Sequence, residues 1–277
     1  MSGRLLQLPS GGSVGITNLG DPGSRHTVLL CHPTPGASGF DPDPLVTNAH
    51  DALIIGADRP GYASSDVQDP QRCPPHFAEL ALFDEFSDRG ARIDAVIGWG
   101  YGGLMALRLA AERPDRVRRV ALVQTPAPGS RLYGLLARRA RAWSLQHHDF
   151  HLALASERGG TRIRALSVLG AGPEDEALAM PGLRERCERM LDAAVRPGEG
   201  GIEFDRRAGR RHDWGRLARG IRAEVLVLNG ERDPRLRPAD ARWFARRLPH
   251  VEMQLVKEAG PFAIATEWGR VLDFALR

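Results

Sequence analysis

Short runs of β-branched and aliphatic residues alternate with stretches of helical periodicity along most of this chain, and this alternation restricts its fold more than any other feature. Such alternation is typical of βαβ units, in which parallel strands form a central sheet and helices cover its faces. The candidate strands are Ser13–Thr17, His26–Cys31, Asp51–Ile55, Ile93–Ile97, Val120–Val123, Glu224–Leu228 and Val251–Val256. The candidate helices are Phe77–Ser87, Gly102–Glu112, Ala239–Arg247 and Phe262–Leu276. The sequence therefore predicts an α/β protein with a mostly parallel central sheet flanked by helices.

One long segment interrupts this alternation. The strand pattern stops at about Pro128 and resumes at Glu224, and the residues between them are rich in Arg, Ala and Leu with Gly and Pro breaks. Because the strand pattern resumes afterwards, we interpret residues 128–217 as a helical cap inserted into a core formed by residues 1–127 and 218–277. A cap at this place is expected to cover a pocket at the carboxyl ends of the strands, where open α/β sheets bind ligands.

Composition and charge exclude several classes of protein. The apolar runs are far shorter than the roughly 20 residues that span a bilayer, and the first residues lack the apolar stretch of a secretory signal, so a cytoplasmic protein with no membrane partner is expected. The net charge is only +4 and the basic residues are interleaved with acidic ones, which argues against a nucleic-acid partner. The three cysteines, Cys31, Cys73 and Cys187, are widely spaced and are expected to be reduced thiols. No cofactor is predicted.

The strongest local motif is a strand that runs directly into a glycine-rich turn and a helix. The segment DAVIG is followed by GWGYGGLMALRLA, so that Gly98, Gly100 and Gly102 have the spacing of a G-x-S-x-G nucleophile elbow. In such an elbow the central residue sits on a strained turn, and the flanking glycines allow strand and helix to approach closely. Gly100 holds the central position, so this turn carries no nucleophilic side chain.

Together with three further motifs in the same order, this elbow resembles the α/β-hydrolase superfamily, and most closely its small capped esterases, lactonases and peptidase-like members. The segment LLCHPTPGASGF resembles the loop that supplies an oxyanion-hole amide, which implies Thr34 and Tyr101 as the two amide donors. The segment DRPGYASSD at residues 58–66 resembles the loop after the next strand. The segments LNGERDPRLRP and KEAGPFAIATEWGRVLDF resemble those that carry the catalytic acid and histidine, which implies Asp233 for the acid and places Pro261 at the histidine position.

The resemblance therefore implies a triad that reads Gly100, Asp233 and Pro261. A serine nucleophile needs a base within hydrogen-bond reach, and that base needs an orienting acid. Glycine supplies no nucleophile and proline supplies no base. We therefore expect that this protein is not an ordinary serine hydrolase, although its oxyanion hole could still polarise a carbonyl group.

Two residues remain as candidates for acid–base chemistry. Asp233 could act as an acid or base in its own right, or it could cap the following turn or pair with Arg232 or Arg235. His32, in the oxyanion loop, is the second candidate base, and its alternative role is to hold the loop by hydrogen bonding.

Aromatic residues and a histidine cluster complete the candidate site. Trp99 and Phe262 are predicted to line the pocket, with core packing as the alternative for Trp99, and the Tyr101 hydroxyl could point into it. His147, His148 and His151, with Asp149, could share a cap helix face. They lack a further ligand at a telling distance, so we predict no metal site.

Three functions fit these observations. The first is a non-hydrolytic enzyme of the cyclase, isomerase or lyase type, which acts on a carbonyl-containing small metabolite through the oxyanion hole. Because Lys257 is the only lysine, the arginine bias is typical of a high-GC bacterial genome, in which such an enzyme would suit secondary metabolism. The second is a pseudoenzyme that binds a small molecule or a partner unchanged. The third is a hydrolase with a relocated nucleophile or an activated water.

Overall fold

A single eight-stranded sheet organises the chain. The computed structural model describes residues 2–8, 11–128, 166–172, 175–208 and 213–277. The strands are β1 (Ser2–Gln7), β2 (Ser13–Leu19), β3 (His26–Cys31), β4 (Ala52–Ala57), β5 (Ala95–Trp99), β6 (Arg119–Val123), β7 (Glu224–Gly230) and β8 (Val251–Val256). Their order across the sheet is β1-β2-β4-β3-β5-β6-β7-β8. Strands β3 to β8 run parallel, and β1 and β2 extend the sheet antiparallel at one edge.

The helices pack on both faces of this sheet. They are α1 (Pro44–Ala49), α2 (Phe77–Asp88), α3 (Gly102–Glu112), α4 (Leu183–Val195), α5 (Gly200–Ala208), α6 (Trp214–Arg219), α7 (Pro238–Ala245), α8 (Ala263–Thr266) and α9 (Trp268–Ala275). Successive residues of β3 belong to different core clusters, Val28 and Leu30 to one and Leu29 and Cys31 to the other, because strand side chains alternate between faces. Every residue of β4 and β5 is buried, as expected for parallel strands covered on both sides.

The predicted α/β fold class is confirmed, and the seven predicted strands all form within two or three residues of their expected bounds. Two elements were missed. Strand β1 is almost entirely exposed, so its sequence has no buried alternation to signal it. Helix α1 begins with Asp43, whose side chain accepts hydrogen bonds from Leu45 N and Val46 N, and with Pro44 in its first turn. This capping signal was readable in the sequence.

The last predicted helix is two helices in the structure. Helices α8 and α9 meet at Glu267, whose backbone (φ −110°, ψ 15°) leaves the helical region between them. Helix α8 thus stands alone directly after Pro261 and Phe262, the segment that the sequence assigned to the vacated histidine position.

Helices α4, α5 and α6 lie between β6 and β7; the segment predicted as a cap contains α4 and α5, and its predicted end at residue 217 falls within α6. Its boundaries at residues 127/128 and 217/218 remain a prediction. The cluster of His147, His148, Asp149 and His151 lies outside the described residues. Within the described ranges, no helix is both long and apolar enough to cross a membrane.

Candidate functional site

The strand, turn and helix of the elbow form as predicted. Strand β5 ends at Trp99, helix α3 begins at Gly102, and Gly100 between them has a left-handed backbone with φ +58°. A Cβ atom on Gly98 would lie 2.4 Å from the Cα of Gly103, and one on Gly102 would lie 2.1 Å from the carbonyl oxygen of Cys31. The flanking glycines are therefore required by the close approach of strand, helix and oxyanion loop.

The central glycine is different, because space does not require it. A Cβ atom on Gly100 would meet Pro33 Cβ at 3.5 Å, an ordinary van der Waals contact. The Gly100 N–H donates to Val123 O at 2.9 Å, and its carbonyl accepts from Gly103 N at 3.1 Å, so the turn is held by its backbone. The elbow thus retains a conformation that accepts a serine, although it carries none.

We expect the substitution Gly100→Ser to leave the fold intact and to lower the free energy of unfolding by roughly 1–2 kcal/mol, the cost of a side chain in the left-handed region. The matched control is Gly90→Ser, because Gly90 has φ +74° and open space around it. Urea unfolding of both variants tests this. A much larger loss for Gly100→Ser than for Gly90→Ser would show that the space over the elbow is tighter than the contact with Pro33 indicates.

His32 is held by both of its ring nitrogens. Its Nδ1 donates to Pro33 O at 2.8 Å, and its Nε2 accepts from the Arg59 backbone N–H at 3.1 Å, an arrangement that requires the neutral ring with its proton on Nδ1. Burial, and then the nearby Arg59 charge, hold the pKa of His32 well below its ordinary value. These contacts match the loop-holding alternative for His32, and they leave neither ring nitrogen available to take a proton from a substrate.

Thr34 and Tyr101, whose backbone amides were the expected oxyanion donors, both use their side-chain hydroxyls to bind Asp205, a residue that sequence analysis missed. The Thr34 hydroxyl donates to Asp205 Oδ2 at 2.5 Å, and the Tyr101 hydroxyl donates to the Asp205 backbone carbonyl at 3.3 Å. Asp205 lies on α5 and is fully buried. A signal existed in the sequence, because Asp205 follows Ile202 and precedes Ala208 at three-residue spacing on the buried face of α5.

Asp233, at the position implied for the triad acid, is fully engaged. Its Oδ1 accepts from Arg235 N at 2.8 Å and Arg235 Nε at 3.0 Å. Its Oδ2 accepts from Arg235 Nη2 and from Gln124 Nε2, each at 2.8 Å. The same Arg235 Nη2 lies 3.3 Å from the carbonyl oxygen of Pro261. The guanidinium therefore bridges Asp233 and the backbone carbonyl of Pro261, the residue that the resemblance placed at the histidine position.

Gln124 completes this arrangement and was not foreseen. It follows β6 with a left-handed backbone, φ +52°. Its side chain bridges two loops, since Oε1 accepts from Gly230 N at 2.7 Å and Nε2 donates to Gly260 O at 2.6 Å. Of the two expected partners of Asp233, Arg235 is the one that pairs with it, whereas Arg232 pairs with Glu258.

The aromatic residues near the elbow pack as core residues. Trp99 is stacked on Phe40 with a centroid distance of 5.1 Å and contacts Phe262 at 6.1 Å, and all three are buried. The cavity that Trp99 shares with the oxyanion loop and Met190 has a volume of about 10 Å³, room for about one water. Trp99 therefore lines this small cavity. Phe262, which was also predicted to line the pocket, packs in the hydrophobic core.

The described residues offer no reactive thiol and no metal site near the elbow. Cys31 is completely buried at the end of β3, and this burial raises the pKa of its thiol well above its ordinary value. A thiol in that state is a poor nucleophile. Within the described ranges, no group of three or more His, Cys, Asp or Glu side chains is arranged to hold a metal ion.

Comparison with known proteins agrees with this architecture. The sequence profile described as alpha/beta hydrolase fold matches residues 26–267. A pimeloyl-[acyl-carrier protein] methyl ester esterase from Chromobacterium violaceum is 30% identical over 194 residues, 69% of this chain and 70% of the relative. The corresponding Nitrosomonas europaea esterase is 26% identical over 171 residues, and the match spans 60% of this chain and 63% of that relative. The crystal structure of the enol-lactonase from Burkholderia xenovorans LB400 superimposes with a TM-score of 0.72 at 20% identity, covering 99% of this chain and 100% of that one.

Proposed function

The chain belongs to the α/β-hydrolase fold family, and we propose that within this family it is a pseudoenzyme, which binds a carbonyl-containing small molecule without hydrolysing it. The esterases that it resembles are named for an ester substrate, which supports a carbonyl-containing ligand class. In this role the protein has lost the ability to hydrolyse its ligand and keeps the ability to bind it.

The observation that carries this proposal is the placement of Arg235. In a working triad the acid accepts a hydrogen bond from the histidine that activates the serine. Here the Arg235 guanidinium occupies both oxygens of Asp233 and reaches the Pro261 carbonyl. Arginine stays protonated at any physiological pH and accepts no hydrogen bond, so it cannot act as the base. The contacts of Arg235 therefore support the loss of hydrolysis independently of the residues at positions 100 and 261.

These contacts change the order in which the three functions are supported. The sequence favoured a non-hydrolytic enzyme with Asp233 or His32 as the group that moves a proton. Both side chains are instead saturated by hydrogen bonds within the protein. A relocated nucleophile has no support from Cys31, whose thiol is buried and protonated.

A non-hydrolytic enzyme remains the second candidate, and the intact elbow favours it. Gly100 keeps the left-handed turn, and Tyr101 follows it at the start of α3, where backbone amides and the helix dipole stabilise negative charge. In such a reaction the substrate itself would have to supply the group that moves the proton.

We expect the purified protein to hydrolyse p-nitrophenyl acetate no faster than buffer, whereas enzymes accelerate their reactions by about a million-fold or more. The variant Gly100→Ser should remain equally inactive, because it restores a hydroxyl without a base. Absorbance at the nitrophenolate band measures both rates, and an esterase with an intact triad serves as the positive control. Rapid cleavage by the unmodified protein would contradict the proposal.

A second experiment separates binding from non-hydrolytic turnover. The protein is incubated with a metabolite extract from its source and then recovered, and both the bound fraction and the extract are analysed by mass spectrometry. Recovery of an unchanged bound compound supports the pseudoenzyme. A protein-dependent conversion without hydrolysis supports the second candidate instead and overturns the first.

A further inference from the structure

Three donor side chains of the core surround the carboxylate of Asp205. Arg59 Nε donates to Asp205 Oδ1 at 3.0 Å, and Arg59 Nη2 donates to Oδ2 at 3.0 Å, a two-pronged arrangement. The hydroxyls of Tyr62 and Thr34 donate to Oδ2 at 2.9 Å and 2.5 Å. We call Thr34, Arg59 and Tyr62 the carboxylate cradle. Its pattern of a guanidinium fork with two hydroxyls is well suited to bind a carboxylate with charge-assisted hydrogen bonds.

The cradle and its occupant come from different parts of the chain. Thr34 belongs to the loop after β3, and Arg59 and Tyr62 belong to the loop after β4, so all three are carried by the core sheet. Asp205 comes from α5, in the segment predicted as the cap, and lies 143 residues or more from each of them. The cap helix thus places one acidic side chain in a site built by the core.

The core holds Arg59 in place without help from Asp205. Arg59 Nη1 donates to His32 O at 2.7 Å, and Arg59 Nη2 donates to Pro33 O at 2.8 Å. Its guanidinium also lies 5.4 Å and 5.5 Å from the ring centroids of Tyr62 and Tyr101. These contacts fix the orientation of the fork, so the cradle is preorganised for a carboxylate whether or not Asp205 occupies it.

One carboxylate is enough to balance the buried positive charge of Arg59. Glu79 approaches Arg59 Nη1 at 3.6 Å from another side, but neither of its carboxyl oxygens has a hydrogen-bond partner. Burial raises the pKa of Glu79 to about 7, against the opposing effect of Arg59. A protonated Glu79 leaves the positive charge of Arg59 to be balanced by a single carboxylate, and that carboxylate is Asp205.

We infer that the cradle of Thr34, Arg59 and Tyr62 is a binding site for a small carboxylic acid, and that Asp205 is its internal occupant, which such a ligand replaces. The inference rests on the proposed function, because it names the class of ligand that the proposed binding protein would take. The cradle adjoins the elbow, because the Tyr101 hydroxyl donates to the backbone carbonyl of Asp205 and the Arg59 guanidinium lies 5.5 Å from the centroid of the Tyr101 ring.

The test removes the occupant and supplies a free carboxylate. The variant Asp205→Ala leaves the cradle empty, and sodium acetate is the probe. Urea unfolding midpoints are measured with acetate, with acetamide and with sodium chloride at equal ionic strength. We expect acetate to raise the midpoint of Asp205→Ala in a saturable way, and acetamide and chloride to have little effect.

Two further variants make the test specific. Glu203→Ala removes another ion-paired carboxylate from the same helix, bound to Arg206 and Arg207, and should gain nothing from acetate beyond the salt control. Asp205→Asn still fills the cradle and should also show no acetate effect. Because the readout is an unfolding midpoint, even an unstable Asp205→Ala variant can be examined by refolding it in acetate.

The inference is overturned if acetate stabilises Asp205→Ala no more than chloride does, or if it stabilises Glu203→Ala equally. Either result leaves the ester assay unaffected, since that assay uses the unmodified protein. Conversely, ester cleavage by the unmodified protein would remove the proposed function and leave the acetate result unchanged. The two failures are therefore distinguishable.

Discussion

Replacement of Arg59 by alanine is expected to lower the free energy of unfolding by about 3–5 kcal/mol, the range found when one partner of a buried ion pair is removed. Arg59 is completely buried, and burial alone would lower the pKa of its guanidinium. The carboxylate of Asp205 is the main group that raises this pKa instead, so the charge is retained. Without Arg59, the carboxylate of Asp205 would be buried with only hydroxyl donors, and the His32 carbonyl would lose its side-chain donor, whereas the Pro33 carbonyl would keep only the ring N–H of His32.

The matched control for this prediction is Arg206→Ala. Arg206 also binds a carboxylate with two nitrogens, at 2.7 Å and 2.5 Å from the oxygens of Glu203, but its side chain is 30% exposed. Exposed pairs contribute about 1 kcal/mol or less because water screens them. Urea unfolding of the two variants measures the difference. Equal losses in the free energy of unfolding would contradict the expectation that the buried contacts of Arg59 stabilise the fold more than the exposed contacts of Arg206 do.

This contrast also shows why sequence analysis recognised the fold but missed the cluster. The alternation of strands and helices, and the glycine spacing around Gly100, are local patterns that indicate βαβ units and an elbow. The contact between Asp205 and Arg59 joins residues 146 positions apart. Periodicity could show that Asp205 lies on the buried face of α5, but it could not show which side chains form hydrogen bonds with it there.

The contacts around Asp233 and Pro261 were predictable only in part. The motifs located Asp233 and Pro261, and both Arg232 and Arg235 were near enough in sequence to pair with the acid. The turn after β7 decides between them, because the Arg235 backbone N–H binds Asp233 Oδ1 and brings its side chain alongside, whereas Arg232 faces Glu258. Gln124 could not be foreseen, since its bridging position depends on a left-handed backbone after β6.

Glu79 gives the second large effect, and here the direction depends on pH. Its pKa is raised to about 7 from an ordinary value of 4.5, mainly by burial, so the folded protein holds a proton that the unfolded chain releases between these values. The contribution of Glu79 to the free energy of unfolding is therefore greatest at low pH, and it falls as the pH rises from about 4.5 to about 7. The shift corresponds to a loss on the order of 3 kcal/mol above pH 7.

The variant Glu79→Gln has no such proton to lose and keeps a similar shape. We therefore expect it to be close to the unmodified protein in stability at pH 5 and more stable by up to about 3 kcal/mol at pH 8. Other buried groups, such as His32, also make stability depend on pH, so the informative quantity is the difference between the two proteins in urea unfolding across this range.

Glu224→Gln removes an exposed carboxylate outside the cluster and controls for the loss of one negative charge. Its stability should differ from that of the unmodified protein by an amount that varies little from pH 5 to pH 8. If the Glu79→Gln difference were also flat, Glu79 would be ionised in the folded protein throughout this range. Arg59 would then balance two carboxylates, and a free carboxylic acid would enter the cradle against an additional negative charge.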